Sequence, residues 1–404
     1  MSFRTFAGIF ATSLFAVPAA PAQSRAEEQG NHRHWSYSVV RLGSLGGTAS
    51  GASSVNNRGW VSGSSNLPGD QTEHAVLWRH EQTLDLGTLG GPNSSVSWPN
   101  HNRRTVVGIA ETSDIDPLGE RWSCSAFFPS STGHTCLGFV WEGGLMRPLP
   151  TLGGNNGYAA GANNRGQVVG WAETDFHDPT CLAPQVLQFQ AALWGPGSGE
   201  IQRLLPLEGD PDSAATAIND RGQAVGISGT CYRAVGALSA KHAVLWEDGQ
   251  AIDIGNLGGI AWNTPAAINN RGEIAGFSDL PGDDPDHPNF HAFFWTRRGG
   301  IEDLGTLPGD TRSLAFGLNE RSQVVGESRG PTGRRAFIWQ HGVMTDLNTL
   351  VAPGSPRLLY ANDIDDDGEI VGQAQDPSTG ELFAFVAVPR CGGGDDKCEG
   401  DDRN

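Results

Sequence analysis

The sequence predicts an all-β protein, a seven-bladed β-propeller of four-stranded blades whose ring is closed by the N-terminal strand completing the last blade. Three observations carry this prediction. A unit seen most clearly at 267–276, 291–295 and 303–307 recurs seven times in register. Each copy occupies roughly 45 to 60 residues with the turn signals of four short strands, the dimensions of a propeller blade. One copy is divided between the two ends of the chain, which closes a ring but brings nothing to an open solenoid.

In each unit a first strand, a, leads into a tight turn: Asn57-Arg58-Gly59, Asn102-Arg103-Arg104, Asn164-Arg165-Gly166, Asp220-Arg221-Gly222, Asn270-Arg271-Gly272, Glu320-Arg321-Ser322 and Asp366-Asp367-Gly368. Asn, Asp and Gly tolerate positive φ, and between two short apolar stretches they make β-hairpins. The hairpin's second strand, b, is expected to end on Gly63, Gly108, Gly170, Gly226, Gly276, Gly326 or Gly372. Strand c follows, as in Ala75-Val76-Leu77-Trp78 or Ala243-Val244-Leu245-Trp246. It is apolar on both faces, so neighbouring sheets must cover both. Strand d carries Asp-Leu-Gly-Thr-Leu or a variant. The seventh unit stops after strand c at 383–388, and the missing strand d stands at 37–45.

Composition agrees with this organisation. Of 404 residues, 56 are Gly, 24 are Pro and only 18% are charged, which suits short strands and turns, while 12 tryptophans argue against disorder. Residues 1–22 read as a secretory signal peptide, with Arg4, an apolar run over 6–17, and Ala20-Pro21-Ala22 at the cleavage site. That run is too short to span a bilayer as a helix, and no later stretch approaches about 18 apolar residues. The expected plan is a leader over 23–35, a propeller over 36–389 and an acidic, cysteine-containing tail over 390–404. The mature chain is expected to be secreted or periplasmic, monomeric and not inserted in a membrane. A formal net charge of −18 excludes nucleic acid as a partner and repels anionic lipid.

Six cysteines in an exported chain read as disulfides. Many connectivities are open, and the preferred pairs are Cys124 with Cys136 inside one insertion, Cys181 with Cys231 in equivalent loops of successive repeats, and Cys391 with Cys398 around the tail. Closing the first loop stabilises by about 3 kcal/mol on the chain-entropy account.

With these elements identified, the chain resembles the probable extracellular HAF-repeat proteins, named for the tripeptide found here as His291-Ala292-Phe293, with variants at His74-Ala75-Val76 and His242-Ala243-Val244. The resemblance covers most of 37–388. It implies an exported bacterial repeat protein and no established activity, so no catalytic residue comes with it. The cysteine-bearing insertions depart from the pattern, as does Arg104 in place of the turn glycine.

In a propeller the b–c and d–a loops emerge on one face, and the insertions at 112–137, 174–189, 229–241 and 279–289 all fall in b–c loops. Long loops on one face of a rigid ring are where binding evolves. They are acidic, with Asp114 and Asp116, then Asp175, His177 and Asp178, then Asp283, Asp284, Asp286 and His287. The last four are candidate metal ligands, because clustered oxygens suit Ca²⁺; a metal-free hydrated loop is the plainer alternative. Asp175, His177, Asp178, Asp283, Asp284 and Tyr232, the last beside Cys231, are the candidate ligand-binding residues. The start of a calcium loop at 363–368 lacks its twelfth-position acid, since Ala374 stands there, and reads as the seventh hairpin turn. The turn arginines are expected to ring the opposite face, bonding neighbouring blades, and His74, His242 and His291 to be structural.

No Gly-x-Ser-x-Gly, His-Glu-x-x-His, phosphate-binding glycine loop or Cys-x-x-Cys occurs. The expected function is that of a binding or scaffold module meeting a glycan, peptide or envelope protein through the b–c face, with no cofactor beyond a possible Ca²⁺. The alternative is a carbohydrate-active propeller enzyme, a glycoside hydrolase or polysaccharide lyase, using paired carboxylates or a His/Tyr base.

Overall fold

A computed structural model describes residues 36–390, apart from 80–81, 97, 99–103, 121–123, 125–126, 131, 197–199, 233–235, 260 and 283–288. Seven antiparallel four-stranded sheets form a ring. Blade 1 runs Ser50–Val55, Val61–Asn66, Glu73–Arg79 and Gln82–Asp85, and blade 2 runs Gly90–Ser95, Val106–Ile115, His134–Glu142 and Leu145–Pro148. Blade 3 is Gly153–Ala162, Val168–His177, Leu187–Trp194 and Ile201–Leu204; blade 4 is Asp212–Ile218, Ala224–Gly229, His242–Glu247 and Gln250–Asp253. Blade 5 is Asn263–Ile268, Ile274–Asp279, Phe290–Thr296 and Gly300–Asp303; blade 6 is Arg312–Leu318, Val324–Gly330, Gly333–Gln340 and Val343–Asp346. Blade 7 takes Arg357–Ile364, Ile370–Gln375 and Leu382–Arg390 from the C-terminal end and Ser36–Arg41 from the other, with Tyr37 opposite Pro389 and Arg41 opposite Phe385. The N-terminal strand therefore closes the ring.

The recurrent glycine does not end strand b, which corrects the expectation from sequence. Strand b continues at least three residues past it, to Asn66 in blade 1 and Asp279 in blade 5. Its role is to make room for a bulge in strand a: Ala52 pairs with Gly63 and Ser54 with Ser62, leaving Ser53 extra, and Ala160, Thr216, Ala266, Phe316 and Asn362 are extra in blades 3 to 7. The bulge drives a carbonyl against the glycine. A Cβ on Gly276 would lie 2.2 Å from the Thr264 oxygen, and one on Gly326 would lie 1.9 Å from the Leu314 oxygen.

The blade-to-blade core is built from the doubly apolar strands c. Phe139, Phe293, Phe337 and Phe385 are fully buried between sheets, and three strand-c tryptophans reach back to the preceding blade. Trp78, Trp194 and Trp246 donate Nε1 to the carbonyls of Gly43, Pro150 and Leu205 at 2.7–2.9 Å. The histidines opening strand c are structural here: His74, His242 and His291 each place Nδ1 on the strand-d aspartate Asp85, Asp253 or Asp303 at 2.9–3.0 Å. The same aspartates accept from Gly87, Gly255 and Gly305 two residues on, which holds the Asp-Leu-Gly turn.

At the a–b end of the axis a buried asparagine precedes the turn in blades 1 and 3 to 6, and in blades 3 to 6 its Nδ2 donates to the equivalent carbonyl of the next blade. Asn163 bonds Asn219, Asn219 bonds Asn269, Asn269 bonds Asn319 and Asn319 bonds Asp365, at 2.8–3.1 Å. The neighbouring position makes a second circle: the backbone N–H of Asn164, Asp220, Asn270, Glu320 and Asp366 donates to the side chain of Asp220, Asn270, Glu320, Asp366 and Asn57 respectively. The residues just before the arginines thus carry the inter-blade bonding expected of the arginines themselves. Arg271 adds a bond to Ser322 of the next blade, and Arg103 lies outside the described residues.

On the b–c face two disulfides fasten the insertions, Cys124–Cys136 and Cys181–Cys231, a chemistry consistent with an extracytoplasmic protein. Cys391 and Cys398 lie outside the described residues. The 363–368 segment is the hairpin turn: Asp365 accepts from the N–H groups of Asp367 and Glu369, and Gly368 sits at φ +84°.

Two predictions follow from this packing. Gly276→Ala is expected to cost about 2–4 kcal/mol in urea unfolding through overpacking, whereas Gly249→Ala, at a positive-φ turn with open space around it, costs about 1 kcal/mol; equal costs would contradict the bulge account. Asp365 stands where blades 1 and 3 to 6 use asparagine, and burial, followed by the nearby acids Glu369, Asp367 and Asp363, pushes its carboxyl up to about 7. A raised folded pKa means that its contribution is full at low pH and is lost as pH rises from about 4 through about 7. Asp365→Asn is therefore expected to stabilise more at pH 8 than at pH 5, and equal gains at both pH values would refute the assignment.

Candidate functional site

The a–b end of the axis is narrowed by the asparagine circle to a space of about 70 Å³. The opposite end opens into two adjoining cavities of about 440 and 160 Å³, which share Trp98 and Phe127 as a common wall. Their linings come from the strand-a bulges and from strand b just past the glycine, the places where the seven copies differ most.

The larger cavity is polar and lies against blades 7 and 1. Its wall is fixed in advance by hydrogen bonds. Tyr360 donates its hydroxyl to Gln373 Oε1 at 2.8 Å, Gln373 Nε2 donates to the Ser50 carbonyl at 2.9 Å, and Asn362 Nδ2 donates to the Ala52 carbonyl at 2.7 Å. Glu73 lines the same space. Burial pushes its carboxyl up to about 7, against the lowering effect of hydrogen bonds from Ser95 and Ser64. Burial likewise lifts the Tyr360 phenol to about 12. Glu73 is the one carboxylate among the described residues lining either cavity, and no Lys, Arg or His joins it.

The smaller cavity is aromatic and lies against blades 3 to 5. Phe127 stacks on Tyr158 with centroids 4.8 Å apart, and Trp262 packs edge-on against Phe290 at 5.4 Å while donating Nε1 to Thr264 Oγ1 at 3.1 Å. Trp171, only 3% exposed, completes the wall with Phe277. Phe127 belongs to the loop closed by Cys124–Cys136, so that insertion delivers an aromatic ring into the channel.

Of the residues singled out from sequence, Asp175, His177, Asp178 and Tyr232 are not among those that line the two cavities. Asp175 and His177 are exposed at the end of a blade 3 strand. Asp178 is buried at the seam with blade 4, accepting from Thr180 N–H at 2.6 Å. There it meets Asp212, whose carboxyl is pushed up to about 8 by burial and then by the adjoining Asp178 and Asp210. Tyr232 holds blade 3's loop through its backbone, which bonds Thr180 and Leu182. Asp283, Asp284, Asp286 and His287 lie outside the described residues. Among the described residues no three His, Cys, Asp or Glu side chains gather as a metal-holding group, and no helix is long and apolar enough to cross a membrane. Sequence reasoning missed Glu73, Trp98, Phe127, Tyr158, Trp171 and Trp262, although the variation flanking an invariant glycine was a usable signal for Trp171.

No family model matches the sequence, and no curated protein is similar to it. Solved structures share its fold at low identity. The chain is similar to the acylaminoacyl peptidase of Pyrococcus horikoshii, with a TM-score of 0.50 and 11% identity, over 83% of this chain and 51% of that one. It is also similar to the β-propeller domain of the Trilobed protease from Pyrococcus furiosus, with a TM-score of 0.46, 10% identity, and 85% and 95% coverage. An oligogalacturonate lyase in complex with manganese gives a TM-score of 0.43, 10% identity, and 87% and 96% coverage. The chain thus spans about half the length of the peptidase, and what these structures share with it is the propeller.

Proposed function

We propose that this protein is an exported binding module that takes the end of a neutral glycan into the b–c mouth of its channel. The observation that carries the reading is the pairing of a preorganised amide, hydroxyl and carboxylate wall with an aromatic wall in one opening. Sugars present hydroxyls at their edges and C–H groups on their faces, so they need both surfaces at once, and ligand sites combine a few placed polar groups with apolar walls. The absence of cationic lining among the described residues and the chain's charge of −18 turn the site away from acidic saccharides and phosphates. A channel narrowed at its far end suits a chain terminus rather than a passing segment.

The hydrolase form of the catalytic alternative requires two carboxylates about 5 to 10 Å apart across the scissile bond, and Glu73 has no second carboxylate on the described lining; the lyase form needs a His or Tyr base, and there Tyr360 lines the cavity with its hydroxyl already donated to Gln373 and its phenol raised to about 12. The two disulfides support an extracytoplasmic setting, in keeping with the signal peptide expected over 1–22 and the resemblance to exported HAF-repeat proteins.

Screening the mature protein against neutral and acidic oligosaccharides by calorimetry is expected to return neutral binders. Phe127→Ala should weaken them about tenfold, while Val343→Ser, at an exposed site in blade 6, leaves them unchanged. Preference for acidic saccharides, or indifference to Phe127→Ala, would overturn the proposal.

A further inference from the structure

Glu73 opens strand c of blade 1 at a position whose side chain the frame does not specify. The equivalent residues of blades 2 to 7 are Cys136, Phe189, Lys241, Phe290, Arg334 and Leu382, so no other copy places a carboxylate there. What the frame holds is the backbone: the N–H of Glu73 donates to Asn93 Oδ1 of the next blade, as that of Cys136 does to Asn156 and that of Phe189 to Asp212. The carboxyl is held by side chains of the polar cavity instead. Ser64 of blade 1 and Ser95 of blade 2 hydrogen-bond to it, Tyr360 of blade 7 is under the influence of its charge, and all three line the same space. Three blades thus bracket the carboxyl, and the residue is half-buried rather than sealed. The rest of the wall has committed donors internally. The Tyr360 hydroxyl hydrogen goes to Gln373, and Gln373, Asn362 and Asn66 each give an amide hydrogen to the Ser50 carbonyl, the Ala52 carbonyl and Asp70 respectively. Acceptors are left in excess, and an ionised Glu73 is the strongest of them, so the wall suits a ligand rich in donors.

We infer that Glu73 is the specificity-determining residue of the glycan site, its ionised carboxylate receiving hydroxyl donors of the terminal sugar. This inference rests on the glycan reading above and names the group that reads the hydroxyls. Burial lifts the carboxyl of the empty site to about 7. A ligand that binds the ionised form therefore displaces a proton to solvent and binds more tightly as pH rises through 7. The charged groups around Glu73 are otherwise engaged. Tyr360, lifted to about 12, stays neutral, and the two blade 6 groups that act on it, Arg334 and Glu327, pair with each other at 3.3 Å. On the same strand His74 is turned to Asp85. In blade 2, Glu111 accepts from Asn93 and from the Thr132 hydroxyl.

The test titrates the mature protein calorimetrically with cellobiose, maltose and lactose, or with whichever neutral saccharide the wider screen returns, at pH 6 and pH 8 and in two buffers of different ionisation enthalpy. Binding is expected to be about tenfold weaker at pH 6 than at pH 8, with about one proton released per sugar at pH 6, and both effects are expected to vanish in Glu73→Gln. Asp212 and Asp365, the other carboxyls lifted to about 8 and about 7, lie outside the linings of the two cavities. The double variant Asp212→Asn/Asp365→Asn should therefore keep the dependence, and this control decides the matter even where Glu73→Gln fails to fold. Equal affinity at the two pH values, tighter binding at pH 6, or loss of the dependence in the double variant would overturn the role of Glu73 and leave the neutral-glycan reading standing. No neutral binder at either pH would overturn both.

Discussion

The structure depends on one repeated interaction, the asparagine before the turn of blades 3 to 6 bonding the next blade at the axis. A propeller blade has two apolar faces, and hydrophobic burial between blades is strong but non-directional; by itself it does not fix how many blades close a ring. The asparagine amide does. Asn219 accepts from Arg221 and Gln223 N–H on Oδ1, and its Nδ2 donates to Gln223 and to Asn269 of the next blade. It spends all its hydrogen-bonding capacity at one point and leaves no tolerance in the angle between successive turns. Buried to 2–4% exposure at Asn163, Asn219, Asn269 and Asn319, these bonds are costly to break and stable in register.

That constraint also decides which end of the channel can hold a ligand. The a–b end carries asparagine in five of the seven copies, and blades 3 to 6 make the same bond there. At the other end strand a bulges inward, and the bulged residue has no ladder partner to satisfy. Ser53, Ala160, Thr216, Phe316 and Asn362 are accordingly free to differ. The bulge has a steric requirement, the strand-b glycine, and the residue beyond that glycine varies too: Ser64, Ile109, Trp171, Ile227, Phe277, Glu327 and Gln373. Of these, Ser64, Trp171, Ile227, Phe277 and Gln373 line the two cavities, an asymmetric wall on a symmetric frame.

Much of the frame was legible in the sequence because each part repeats a local physical need. Turn residues with positive φ, doubly apolar strands and a unit split between the termini each have one structural reading, and the Cys124–Cys136 and Cys181–Cys231 pairs followed from where the insertions fall. The glycine's place inside strand b was misread because a period-two pattern does not reveal a bulge. The site was legible only in part. Its aromatic members come from separate blades and loops, and nothing in the spacing of Trp98, Phe127 and Trp262 places them around one opening. The acidic loops attracted attention instead, yet Asp175 and His177 end exposed on the rim, and Asp178 faces Asp212 in a seam. Local composition does not encode the path of a loop over a curved face.

The residues that close the ring and those that line the polar cavity are partly the same. Gln373 and Asn362 of blade 7 hold the Ser50 and Ala52 carbonyls of blade 1, and Asp363 accepts from Val55 N–H and Ser54 across the same boundary. The two ends of the chain meet inside blade 7, between Ser36–Arg41 and Leu382–Arg390, and the Gln373, Asn362 and Asp363 contacts help to hold the C-terminal strands of that blade to blade 1, where closure over the whole ring must be met without a covalent link. A ligand resting on Gln373 and Asn362 binds a wall that exists only when the ring is shut. By linkage its binding free energy then adds to closure, so occupancy of the channel and integrity of the last blade are one equilibrium rather than two.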